Sequence, residues 1–142
     1  MEIGSVETKL GSIVVFVNEG KVVKIKFSAK HEDIPLEPFT TQIKGYLDGK
    51  IKKIDFPVLI GGGAIFKKIW KYVRQIPYGE TLTYGEVARE LGVIPKVVGY
   101  AMACNNLPLY IPCHRVVGKD GIGGFGSNVE WKEFLLEIES KT

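Results

Sequence analysis

The sequence predicts an α+β fold, with a small sheet domain in front and an all-helical domain carrying a helix-turn-helix behind it. Three observations carry this expectation. β-Branched runs joined by turn residues dominate residues 3–27. A triple glycine at 61–63 interrupts the pattern. Beyond it the apolar residues recur at helical rather than strand spacing. The expected boundaries are an N-terminal α/β domain over residues 1–58, a linker over 59–64, and a C-terminal domain over 65–142.

In the front part, "SIVVFV" and "VVKIKF" flank "NEGK", whose Asn and Gly suit a tight turn, so residues 3–27 read as a hairpin. Phe39, Ile43 and Tyr46–Leu47 fall at helical spacing within residues 36–48. "KIDFPVLI" reads as a further short strand. After "GGGA", the segment "IFKKIWKYVRQI" lines up Ile65, Phe66, Ile69, Trp70, Val73 and Ile76 as the apolar face of an amphipathic helix. Thr83 and Glu86 form the Thr-x-x-Glu pattern of a capping box, and Gly92 ends the helix that follows. Pro95 suits the first turn of the next helix, "PKVVGYAMACN". Two helices joined by a short glycine-bearing turn have the form of a helix-turn-helix, and equally of an ordinary helical hairpin. Pro108 and Pro112 exclude a regular helix over 105–118. "KDGIGGFGSN" is a glycine-rich loop, and "VEWKEFLLEIESK" closes as an amphipathic helix with Trp131, Phe134, Leu135 and Ile138 inward. Cys104 is expected in the core.

Composition narrows the function classes. Of 142 residues, 45% are hydrophobic and 25% charged, which is ordinary for a globular protein. No run of 18 apolar residues suggests a membrane span, and the N-terminal stretch lacks the form of a signal peptide, so a cytoplasmic location is expected. The net charge of +3 permits nucleic-acid binding without demanding it, and Arg74, Arg89 and Arg115 all fall in the second half. Two cysteines and two histidines at irregular spacing make neither a disulfide framework nor a structural zinc site.

The most unusual stretch is "YIPCHRVVG", residues 110–118, where Cys113 and His114 adjoin between a proline and an arginine. A small buried cysteine among Ile111, Val116 and Val117 is one reading. A metal ligand is a poor one, because adjacent Cys and His rarely chelate one ion. A nucleophile is the third: a thiolate needs cationic or donating neighbours, and His114 and Arg115 are at hand. A proline-bent segment that delivers Cys113 to a pocket resembles an active-site turn more than a core strand. These residues alone leave burial and nucleophilic chemistry both open.

"IPCHRVVG" resembles the active-site motif of the O6-alkylguanine-DNA alkyltransferases, the methylated-DNA–protein-cysteine methyltransferases. The similarity runs over residues 65–139 and takes in "IPYGETLTYGEVA", "VGYAMACNN", the "GxGGFG" loop and "KEFLLEIE". It implies a ribonuclease H-like sheet domain in front. It also implies irreversible, single-turnover transfer of the alkyl group from O6-alkylguanine, flipped out of double-stranded DNA, to Cys113. No cofactor, metal or membrane is implied, and a monomer is expected. In such a protein Cys113 matches the acceptor thiol. His114 would take its proton through a water, and Glu139 would hold the histidine's tautomer. Asn105 matches the asparagine that braces the turn before the site. Tyr84 matches a tyrosine that polarises the guanine or contacts the flipped nucleotide's phosphate. Phe125, Gly126 and Ser127 match the loop lining the pocket, and the Val116 carbonyl would accept from the guanine amino group. Arg115 and Gly99 are grouped with the DNA-binding residues.

The resemblance departs at Lys96, which stands where the family usually has an arginine that takes the space of the flipped base. Lysine lacks the planar guanidinium that stacks there, so weaker or slower flipping is expected. The alternatives are an alkylguanine-sensing protein without transfer, a Cys–His hydrolase, and a helix-turn-helix transcription factor. Cys113 argues against a pure sensor, no sequence sign of substrate specificity supports a hydrolase, and a transcription factor would not need Cys-His-Arg in a bent segment.

Overall fold

The computed structural model describes residues 1–122 and 129–141. The chain divides into two compact units, Met1–Ile60 and Gly61–Thr142.

In the first unit, three strands run antiparallel in the order β1 (Glu2–Thr8), β2 (Gly11–Asn18) and β3 (Lys21–Ser28). The expected hairpin is thus the second half of a three-stranded meander. The β2–β3 turn places Glu19 and Gly20 at φ 50° and 78°, the positive pair that a two-residue hairpin loop requires. Gly11 has no substitute, because a Cβ there would lie 1.9 Å from the Ser28 carbonyl oxygen. Of the residues picked out by their spacing, helix α1 (Phe39–Leu47) leaves Leu47 half-buried and buries Phe39, Ile43 and Tyr46. They join Val6, Ile13, Val15, Val17, Val22 and Ile25 from the sheet in one core. "KIDFPVLI" forms no strand. Only Val58 bridges, to Val22. The Gln42 side chain both donates to the Asp55 carbonyl and accepts from its N–H, and Pro57 has no N–H to offer a ladder.

The second unit contains helices α2 (Ala64–Val73), α3 (Tyr84–Leu91), α4 (Pro95–Ala103) and α5 (Val129–Ser140). It is not all-helical. Two short strands, β4 (Leu82–Thr83) and β5 (Val116–Val117), pair in parallel. Two-residue strands carry no alternation for a sequence reading to detect. On α2, Ile69, Trp70 and Val73 are buried and Ile76 follows them in the next turn, whereas Ile65 is 59% exposed and lies outside the core. The Trp70 indole donates to the Ala101 carbonyl at 2.7 Å, satisfying one of the acceptors that the end of α4 leaves open. Thr83 and Glu86 make both bonds of the capping box, and Gly92 closes α3 in the left-handed conformation at φ 70°. Pro95 opens α4 after Val93 and Ile94. Among the described residues, no helix is long and apolar enough to cross a membrane.

Candidate active site

Cys113 is delivered by a loop that the asparagine before it ties shut. Asn105 follows the end of α4. Its amide donates to the Ile111 carbonyl at 3.0 Å, and its side-chain oxygen accepts from the Leu107 N–H at 2.8 Å. The Ile111 N–H closes the same loop onto the Leu107 carbonyl at 2.8 Å. At the apex, Leu109 holds φ 76°, a left-handed conformation that costs a residue with a Cβ about 1–2 kcal/mol. Burial of its side chain offsets this. From outside, Arg74 donates to the Tyr110 carbonyl at 2.6 Å, with its guanidinium 3.6 Å from the centre of the Tyr110 ring. After Pro112 the chain makes one 3-10 turn, Cys113–Arg115, and passes into β5. Pairing of Val116 with Leu82 and Val117 with Thr83 then brings the start of α3, and Tyr84, to the same place.

Cys113 is buried, and burial pushes its thiol up to about 11. The hydrogen bond from Asn105, the charge of Lys132 and the backbone N–H groups of Cys113 and His114 act in the opposite direction but do not prevail. At neutral pH the sulfur therefore keeps its proton until a base removes it. His114, next in the chain, is the candidate for that base. It is fully buried, which holds it below the ordinary histidine range despite the neighbouring carboxylate, so the ring is neutral near pH 7. Its Nε2 lies 2.6 Å from Glu139 Oε2. A carboxylate accepts, so Nε2 carries the hydrogen and the buried Nδ1 is the basic nitrogen.

Glu139 is buried near the end of α5 and is held from three sides. Besides His114, it accepts from Arg115 Nε at 2.9 Å, from an Arg115 terminal nitrogen at 3.0 Å, and from the Gly79 N–H at 3.0 Å. Arg115 also donates to the Ile76 carbonyl at 2.7 Å. Arg115, grouped by resemblance with the DNA-binding residues, is thus placed against the carboxylate inside the protein. At 6% exposure its guanidinium is spent inside the protein, where it neutralises the carboxylate that orients the histidine. The bidentate fit is why the position suits arginine rather than lysine.

Lys132 was not picked out by the sequence. Apolar spacing points Trp131, Phe134, Leu135 and Ile138 inward, yet Phe134 and Ile138 are only half-buried. The face that α5 buries runs through Lys132, Leu135 and Glu139. Lys132 Nζ donates to the Val116 carbonyl at 2.7 Å and lies 5.7 Å from the centre of the Tyr84 ring. Burial lowers its pKa to about 8, partly opposed by Cys113, so it remains a cation at neutral pH. Two opposite charges seven residues apart on one helix, with a leucine between them on the same face, were the available signal. Lys132→Met should slow alkylation of Cys113 by about ten-fold and move the thiol's titration, followed by iodoacetamide labelling against pH, further upward. An unmoved titration would reduce Lys132 to a packing residue.

Tyr84 is half-buried, and burial followed by the Cys113 charge holds its hydroxyl above the usual phenol range, leaving it a proton donor. On α4, Val98, Ala101 and Met102 face the core while Lys96, Tyr100 and Ala103 face solvent. A Cβ added at Gly99 would touch nothing. Cys104, expected in the core, is exposed, because α4 ends with that residue on its outer side. Phe125, Gly126 and Ser127 lie outside the described residues.

Comparison with known proteins bears on this arrangement. Residues 64–141 match the family model described as 6-O-methylguanine DNA methyltransferase, DNA binding domain. A methylated-DNA–protein-cysteine methyltransferase of Methanopyrus kandleri is 45% identical over 85 residues, which is 60% of this chain and 65% of that protein. The chain thus spans just under two thirds of that relative. One from Metallosphaera sedula is 31% identical over 142 aligned positions, covering 96% of this chain and 91% of its own length. Among solved structures, Mycobacterium tuberculosis OGT in complex with DNA superposes with a TM-score of 0.84 at 25% identity, covering 98% of this chain and 93% of the other.

Proposed function

The chain belongs to the methylated-DNA–protein-cysteine methyltransferase family, and on that premise we propose that it repairs DNA by taking the alkyl group of an O6-alkylguanine onto its own Cys113, once per molecule. The observation that carries the reading is the buried Cys113 with His114 next to it in the chain, that histidine bonded to the buried Glu139 and Arg115 clamped on the carboxylate.

The chemistry balances without a cofactor. The Cys113 proton passes to His114, through a water, and the imidazolium so formed is neutralised by Glu139. The thiolate attacks the alkyl carbon. A C–S bond forms, the C–O6 bond breaks, and its electron pair leaves with the guanine. Tyr84, kept protonated by its surroundings, donates to the departing base. The Val116 carbonyl, steadied by Lys132, receives the base's amino group. Phe125, Gly126 and Ser127 complete the pocket in this reading. A thioether is a poor leaving group, so the product persists and the protein reacts once.

Recognition follows from the second unit. In our reading α3 and α4 form a helix-turn-helix whose second helix enters the minor groove, where sequence-tolerant contacts serve a lesion that occurs anywhere. Gly99 and Ala103 on the open face of α4 permit close approach to the duplex. Tyr84 borders the flipped nucleotide. The first unit is read as a reduced ribonuclease H-like domain, supported by its antiparallel meander and single helix. The protein acts as a monomer on double-stranded DNA, because one chain contains Cys113, His114, Glu139 and Arg115 together.

Incubation with an O6-methylguanine duplex, followed by intact mass, tests the reading. One methyl per chain, on the peptide containing Cys113, with a plateau at one equivalent, is the expected result. Unmodified protein that still binds the lesion would instead make it a sensor, and continued turnover a hydrolase.

A further inference from the structure

The open face of α4 carries one bulky residue. Lys96, Gly99, Tyr100 and Ala103 lie on it at spacings of three and four, opposite the buried Val98, Ala101 and Met102. Gly99 and Ala103 are small, so Tyr100 stands out from its neighbours. The residue is 53% exposed. Lys96, one turn earlier, places its ammonium 5.8 Å from the ring's centre, within the range of a cation–π contact.

We propose that Tyr100, with Lys96 over its ring, is the wedge that enters the duplex beside the extruded nucleotide and fills the gap it leaves. This rests on the repair reading above. Extrusion of a base leaves two neighbours without a stacking partner, and a planar group is what restores contact with them. Lysine is a point charge that cannot do this. Tyrosine provides the planar face, and minor-groove proteins commonly insert apolar side chains between base steps. Lys96 then serves two ends: it biases the ring's orientation and meets a phosphate or the orphaned pyrimidine. Lys96 and Tyr100 thus divide between them the stacking and the charge that one arginine combines.

The test compares Tyr100→Ala and Tyr100→Phe in the full chain. Tyr100→Ala should slow transfer from an O6-methylguanine duplex by roughly one order of magnitude, the scale of one lost base–aromatic stack. Transfer from free O6-benzylguanine, which needs no extrusion, should be unchanged. Tyr100→Phe should retain the duplex rate. Lys96→Arg should add little in the native chain but recover most of the loss in Tyr100→Ala, since the guanidinium then has the gap to itself. A second readout does not depend on transfer. In the Cys113→Ala chain bound to a duplex with 2-aminopurine beside the lesion, Tyr100→Ala should brighten the probe as it loses its stacking partner. Equal duplex rates for Tyr100→Ala and the native chain, or an unchanged probe signal, would overturn the assignment. So would a Lys96→Arg gain of the same size in both backgrounds. Failure of the repair reading itself is seen separately, as absence of methyl transfer from the duplex to the native chain.

Discussion

Glu139→Gln is expected to slow methyl transfer by about 10²–10⁴-fold, the range over which a positioned general base acts. The amide is nearly isosteric, but both carboxylate oxygens accept hydrogen bonds, and the amide puts a donor NH2 in place of one of them. Turned towards His114, that NH2 forces the histidine's hydrogen onto Nδ1 and the basic nitrogen is lost; turned away, it meets the Gly79 N–H and Arg115 Nε and leaves both without an acceptor. The same change leaves the buried Arg115 guanidinium without its counter-charge, and breaking one side of a buried ion pair costs about 3–5 kcal/mol of stability. Both losses are measurable: single-turnover rates on a methylated duplex, and the midpoint of thermal or denaturant unfolding. A variant that kept its rate while losing stability would show that Glu139 only holds the fold.

The acid side of the native chain's pH profile follows from the same pair. Burial depresses the pKa of His114, so the base form persists as pH falls through the ordinary histidine value near ~6.5. Transfer should hold through that range and fail only below it. Stability behaves differently. Below ~6.5 the unfolded chain binds a proton at this residue that the folded chain does not, so the folded state loses stability on acidification. The contribution is complete above the unfolded value and is lost towards the depressed folded one.

Cys113→Ala should abolish transfer altogether while leaving lesion binding intact, as read by intact mass and by a mobility shift on the same duplex. The chain has a second thiol, Cys104, and it is the exposed one. A simple reactivity argument would favour it over Cys113, whose thiol is pushed up to about 11. The two variants separate the ideas. Cys104→Ala should transfer at the native rate, because exposure supplies neither a base nor a pocket. Methyl still appearing on the chain after Cys113→Ala would mean that Cys104, or another nucleophile, accepts the group.

Sequence patterns were strong where local chemistry decides the backbone. The capping box at Thr83 and Glu86, the left-handed stop at Gly92 and the opening proline of α4 each depend on neighbours within a few residues. So did the face of α1, because Phe39, Ile43 and Tyr46 needed only a core on one side. The pairing of His114 with Glu139, 25 positions later, was also legible, through resemblance. The strand expected at "KIDFPVLI" failed because a side chain from α1, Gln42, took the backbone groups of Asp55. That competition is non-local and leaves no periodicity. Cys104 and Lys132 were misplaced or passed over for a related reason. Apolar spacing assigns the hydrophobic side of a helix, but the rotation of α5 was set by the partners waiting for Lys132 and Glu139.

The amino-acid sequence by itself determined the order of helices and turns, and it set Cys113 beside His114 in a proline-bent motif. These are properties of residue type and short spacing. Only the tertiary structure decided the use of each charge. Arg115 could have met a phosphate from its place beside the cysteine. Instead, the packing of α5 against the Cys113–Arg115 turn buries it against Glu139. Lys132 could have been solvated, yet the pairing of β4 with β5 sets the Val116 carbonyl within its reach. The physical reason is that a charge's role depends on what surrounds it in space, since burial and the nearest counter-charge set both its cost and its protonation. Neither is written in the spacing of the chain.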